Sequence, residues 1–152
     1  MKSLKKRMSR TLIITLLLAS LLTSFVRAES VVFSTKPDGR IRVQGNNMVW
    51  MGYKGGQWDI YHLNTETNKE NNITDDANVQ GYPDIWAQYI VWQEKGIGED
   101  FNIYLYNMDT GSRDKISDGV GRHQEPRIAS GKVVWTSENA NGKRVVMLYD
   151  IN

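Results

Sequence analysis

"FNIYLYNMDTGSRDKIS" at residues 101–117 repeats, 43 positions on, the phrase "WDIYHLNTETNKENNIT" at residues 58–74. Aromatic and aliphatic positions are kept while the polar ones drift. Other segments hold the same register. Trp50, Trp92 and Trp135 end the runs "NMVW", "YIVW" and "KVVW" at spacings of 42 and 43. Pro83 and Pro126, Ile85 and Ile128, and Ile60, Ile103 and Val146 are each 43 apart, and Ile73 and Ile116 close the unit. Self-similarity at such a period marks supersecondary units that bury their apolar faces against one another.

Each unit reads as four short strands. "PDIW" and "PRIA" predict the first, opened by a proline that need not donate to a ladder. "YIVWQE" and "KVVWTS" predict the second, "FNIYLYN" the third and "SRDKIS" the fourth. Gly-rich stretches, "MGYKGGQ" and "KGIGED", join strands two and three, and "NMDTGS" supplies the Asp and Gly of a tight turn. Ile103 and Leu105 face one side of strand three and Tyr104 and Tyr106 the other, so the strand is expected to be buried on both faces. Four-stranded units of this length, apolar on both sides, are blades of a β-propeller. The expected fold is all-β: about three four-stranded antiparallel blades at about 41–75, 83–118 and 126–152, the last ending after its third strand, in an incomplete ring.

The pattern P-x-I-x-x-x-x-[IV]-V-W, then [DN]-I-Y-L-Y-[DN]-x-x-[TS]-G, then a polar strand ending in [IV]-[ST], resembles the TolB-type β-propeller repeat over about residues 41–152. It is especially similar to the tandem version in secreted and surface proteins of bacteria and archaea. That resemblance implies a fold and leaves function open, because the repeat serves binding proteins, peptidase accessory domains and some lyases. A TolB-like ring usually closes with about six to eight blades, so three are expected to need further blades, from a longer protein or a second copy. "SVVFS" (Ser30 to Ser34) is a β-prone stretch able to supply the missing fourth strand of blade three or to fray at an edge.

The N-terminus is of another kind. Lys2, Lys5, Lys6, Arg7 and Arg10 precede the apolar run Thr11 to Val26, and Val26 and Ala28 fit a peptidase cut after Ala28. Residues 1–28 are therefore expected to be a signal peptide and 29–152 the mature propeller segment, secreted, periplasmic or at the cell surface. The apolar run is short of the roughly 18–20 residues of a comfortable span, so no transmembrane segment is expected after cleavage. The chain has no cysteine, which excludes a disulfide framework and a lipid-attached lipoprotein. Six of the 19 Lys and Arg lie in residues 1–28 and none of the 17 Asp and Glu does, leaving 13 basic against 17 acidic residues, about −4. A mature chain of that charge gives no support to nucleic-acid binding.

Candidate sites are few. His62 takes the place of Leu105 and Leu148 and reads as a packed histidine. His123 sits in "GRHQEP", read as the loop entering blade three; its repeat equivalent is Gln80 in "NVQGYP", and its replacement by alanine is expected to leave stability intact. Trp86 breaks the repeat, standing where blade three has Ala129, and reads either as a packing residue or, with Tyr82 and Tyr89, as an aromatic platform. Gln80, Tyr82, Trp86, His123 and Gln124 are thus the candidate ligand or partner surface. Glu94, Glu99 and Asp100 are read as surrounding a flexible hairpin, and Asp75 and Asp76 as turn residues. No catalytic, cofactor or metal motif is found: "TDDAN" (Thr74 to Asn78) lacks the ligand spacing of a calcium loop, and Ser130 lacks a nucleophile-elbow context. The expected function is a non-enzymatic binding or scaffold module that meets a protein partner or a second copy. The alternatives are a propeller-type polysaccharide lyase or hydrolase using His123, Gln124 and Gln80, or a fragment of a larger propeller.

Overall fold

The computed structural model describes residues 34–119 and 121–151. The signal segment 1–28 and residues 30–33 of the "SVVFS" stretch lie outside the described residues. Every regular element described is a strand. The first sheet holds β1 (Lys36–Pro37), β2 (Arg42–Gln44), β3 (Asn47–Lys54), β4 (Gln57–Asn64) and β5 (Lys69–Asn72). The second is β6 (Val79–Trp86), β7 (Tyr89–Lys95), β8 (Asn102–Asn107) and β9 (Arg113–Lys115), and the third is β10 (Arg122–Ala129), β11 (Lys132–Glu138) and β12 (Arg144–Asp150). All pairs are antiparallel and each sheet runs in chain order. These are three propeller blades in an unclosed ring, the third with three strands among the described residues.

The first strands differ from expectation. β6 and β10 begin at Val79 and Arg122, so Pro83 and Pro126 lie inside them rather than at their start. Each proline sits at a break in register, after a residue in the left-handed region, Tyr82 (φ 54°) or Glu125 (φ 57°). A bulge is one of the few places inside a strand where a residue without an N–H costs no ladder bond. In blade one the same strand is split: β1 pairs with Gly52 and Tyr53 and β2 with the opposite end of β3. Blade one therefore begins near Lys36, not at 41. Ser34, the last residue of "SVVFS", gives its backbone N–H to Glu70 Oε2 at 3.1 Å and its hydroxyl to the same carboxylate, beside blade one.

Strand β8 is packed on both faces, with Ile103 and Leu105 buried on one and Tyr104 and Tyr106 half-buried on the other. Ile103 and Leu105 pack with Val91 against Ile128, Val133 and Trp135 of blade three. Tyr104 and Tyr106 pack with Ile85, Ile90 and Trp92 against Val49 and Ile60 of blade one. Burying each such aliphatic side chain is worth about 1.5–3 kcal/mol, so blade two holds the unit together from its middle. The outward faces of the end blades are not alike. On blade three the equivalents of Val91, Ile103 and Leu105 are Val134, Val146 and Leu148, exposed at 37, 78 and 62%. On blade one Trp50, Tyr61 and Leu63 are buried.

The fourth strand is locked by the residue that ends the repeat. Thr74 Oγ1 accepts the N–H of Ile60 at 2.9 Å and donates to Asp59 Oδ1 at 3.2 Å. Ser117 Oγ does the same one blade later, accepting from Ile103 N at 3.0 Å and donating to Asn102 Oδ1 at 3.1 Å. This is the physical content of [DN]-I at one end of the motif and [IV]-[ST] at the other. It also employs the glycosylation-like triplet Asn72-Ile73-Thr74 structurally, since Asn72 Nδ2 donates to Asp59 Oδ2 at 3.1 Å. In blade three the Asx position is Val145.

Candidate functional site

Each blade places a tryptophan in the middle of its second strand, and each must find an acceptor for a buried indole N–H. The residue two positions on decides which one. In blade two it is Glu94, whose Oε2 accepts from Trp92 Nε1 at 2.8 Å. In blade one it is Gly52, where a Cβ would collide with Thr35 Oγ1 and lie 2.9 Å from Trp50 Nε1; Thr35 Oγ1 fills that space and accepts the indole N–H at 2.9 Å. In blade three the small Ser137 leaves the task to His123, whose Nδ1 accepts from Trp135 Nε1 at 3.1 Å with the rings edge to face.

This corrects the placement of His123. It lies in strand β10, 2% exposed, not in a solvated loop, and its Nε2 has no hydrogen-bond partner. A core position of this kind does not tolerate alanine silently. Its equivalent, Gln80, is likewise buried in β6 at 3%, its Nε2 donating to Asp76 Oδ1 at 2.6 Å while Oε1 has no partner. Two equivalent seam positions thus each leave one buried polar atom unmatched. The platform also separates: Trp86 and Tyr89 are cross-strand neighbours packed on the core between blades two and three, whereas Tyr82 lies under the Arg40 guanidinium, 4.4 Å from its ring centroid. Gln124 is half-buried and lines a polar cavity of about 120 Å³ with Arg122, Thr136 and Arg144. The five residues do not form one surface, and neither His123 nor Gln80 is presented to a substrate.

Both histidines carry a pH signature. Burial lowers the pKa of His62, whose Nε2 meets Asn47 Oδ1 at 2.9 Å, and burial is likewise the leading cause lowering that of His123. As pH falls through the ordinary histidine value of 6.5, the unfolded chain takes up protons that the folded chain refuses. The folded state therefore loses stability on acidification. Thermal melts from about pH 8 down to about pH 5 should show a Tm level above neutrality and falling below 6.5; a profile flat to the acid end contradicts the burial of both rings.

Two features escaped the sequence. Glu94 belongs to strand β7 and is 1% exposed rather than flanking a mobile hairpin. It accepts from Asn78 Nδ2 at 2.9 Å and pairs with Arg113, whose other arm reaches Asp76 at 3.0 Å. The same guanidinium lies over the rings of Trp92 and Tyr104. The second is a cavity of about 550 Å³ on blade one, lined by Lys54, Asp59, Tyr61, Glu70 and Asp75 among others. Burial first, then the carboxylates of Asp59, Glu70 and Asp75, raise the Tyr61 pKa. Among the described residues, no group of three or more His, Asp or Glu is placed to hold a metal ion, and no helix is long and apolar enough to cross a membrane.

No protein-family model matches the chain, and no curated protein matches it. Solved structures do. TolB from Acinetobacter baumannii is similar over 77% of this chain at 16% identity, with a TM-score of 0.65. A putative TolB from Agrobacterium tumefaciens is similar over 70% at 23% identity, with a TM-score of 0.59. The chain spans 31% of the first and 42% of the second. The fold is TolB-like and propeller-type, and the chain covers part of it.

Proposed function

We propose that the chain is an exported, non-enzymatic binding or scaffold module that works outside the cytoplasm by holding another protein. The observation that carries this reading is the outer face of blade three. The positions that blade two buries as Val91, Ile103 and Leu105 are left in solvent as Val134, Val146 and Leu148. Contiguous exposed apolar surface rimmed by charge is the usual mark of an interaction site, and here Lys132, Asp150, Arg144 and Glu138 provide the rim as two ion pairs. The TolB-like fold supports the same reading at the level of architecture. The lyase alternative draws no support from the site, since Nδ1 of His123 is taken by Trp135.

Two measurements test this. Affinity capture with the tagged protein should retain a partner that a Val134→Glu variant releases while melting like wild type; equal recovery by both variants contradicts the face assignment. For export, mass spectrometry of the extracytoplasmic fraction should find Glu29 at the N-terminus, and a chain retaining Met1 in the membrane fraction would refute cleavage.

A further inference from the structure

Strand β12 is the outer edge of a three-stranded sheet, and among the described residues no strand pairs with its far side. Exposed edges are normally blunted by a central lysine, a proline, a bulge or brevity. β12 has none of these: it runs seven residues, "RVVMLYD", in unbroken register with β11. Its side chains are also open, with Val145 and Tyr149 at 42 and 37% exposure beside Val146 and Leu148. The Asx that anchors a fourth strand in blades one and two is replaced here by Val145. The edge therefore lacks the side-chain anchor that holds the fourth strand in blades one and two.

It is prepared for a copy of itself. The strand starts with a cation, Arg144, ends with an anion, Asp150, and carries only apolar residues between, with Met147 at the centre. We propose that two copies of this chain pair antiparallel along β12 about a two-fold axis through Met147, joining two three-stranded blades into one continuous sheet. In that register Arg144 of each copy stands opposite Asp150 of the other, Val146 opposite Leu148, and Val145 opposite Tyr149. Paired residues share a face, so one side carries the two charge pairs around the Val–Leu pairs and the other carries Val, Met and Tyr. Opposite charges and apolar pairs directly across strands are the units of sheet stabilisation. The register also pairs residues of the same parity, so the outward backbone groups of one strand meet those of the other. Any register slipped by two or more residues loses both charge pairs. The interface is isologous and closes at two chains. This rests on blade three being the interaction element and names its partner.

Light scattering of the purified protein at tens of micromolar is expected to give a two-chain mass. Arg144→Asp, which sets two carboxylates opposite one another at both ends, and Asp150→Arg, which sets two cations there, should each shift the mass to one chain. The double variant Arg144→Asp/Asp150→Arg should restore two chains. That rescue separates the inference from the pairs inside blade three. Those are Lys132–Asp150 and Arg144–Glu138, and both become like-charged in the double variant. Val146→Lys, at a position 78% exposed in the single chain, should abolish pairing while leaving the folded circular-dichroism spectrum unchanged. A one-chain wild type, a mass above two chains, or a double variant that stays dissociated overturns the proposal. If pairing fails while Val134-dependent capture of another protein persists, the edge inference falls and the binding reading stands.

Discussion

Replacing Trp92 by alanine is expected to lower stability by about 3–5 kcal/mol, the usual cost of truncating a fully buried large aromatic side chain. Three losses coincide there. The indole is completely buried in the seam between blades one and two. It stacks on Tyr104 with centroids 6.0 Å apart. Its N–H satisfies Glu94, which is itself buried. Against the total of about 5–15 kcal/mol typical of a small domain, the variant should unfold at a far lower denaturant midpoint, or not fold at physiological temperature. Trp92→Phe should recover part of the packing but not the Glu94 bond and fall between the two. Equal midpoints for wild type and Trp92→Ala would remove the seam assignment.

The second large effect is expected at Arg113. Its guanidinium holds Glu94 and Asp76 at once and covers the faces of Trp92 and Tyr104. Removing one partner of a buried ion pair costs about 3–5 kcal/mol, because the other charge is left without compensation. The arginine side chain is 29% exposed and Glu94 2%, so water offsets part of this, and about 2–4 kcal/mol is expected for Arg113→Ala. Arg113→Lys should be intermediate, since a compact ammonium does not span both carboxylates in a planar fork. The discriminating measurement is the double variant Glu94→Gln/Arg113→Ala. It should be more stable than Arg113→Ala alone, because a neutral amide remains where a bare carboxylate would be. A double variant less stable than both singles would show that Glu94 does not depend on Arg113.

Legibility in the sequence followed the kind of interaction. Blade number, strand order and the two-sided packing of Ile103, Tyr104, Leu105 and Tyr106 were readable because hydrophobic burial is periodic, and a period survives in one dimension. The roles of Glu94 and His123 were not. Each accepts an indole N–H only because of the size of the residue two positions past a tryptophan, Gly52, Glu94 or Ser137, and a repeat alignment records that residue as unconserved drift. The prolines misled for a related reason. A proline reads as a strand opener unless the bulge beneath it is known, and the bulge is set by Tyr82 and Glu125 adopting a positive φ. The candidate surface was read at Gln80, Tyr82, Trp86, His123 and Gln124, which the structure places apart. The apolar residues it leaves exposed on blade three, Val134, Val146 and Leu148, keep the repeat.

Among the described residues, three hydrogen bonds from a backbone N–H to a side chain also join the blades outside any strand ladder. Gln44 Oε1 accepts the N–H of Ala87, Gln93 Oε1 that of Glu125 at 2.9 Å, and Asp84 Oδ2 that of Ile128 at 3.1 Å. In each case the donor is the backbone of one blade and the acceptor a side chain of the blade before it. These amides are released when blades part, even if every sheet stays intact. In hydrogen–deuterium exchange they act as gauges of hinge opening: protection at Glu125 and Ile128 reads the second seam and protection at Ala87 the first, against ladder amides of β7 such as that of Val91 as the internal clock for sheet melting.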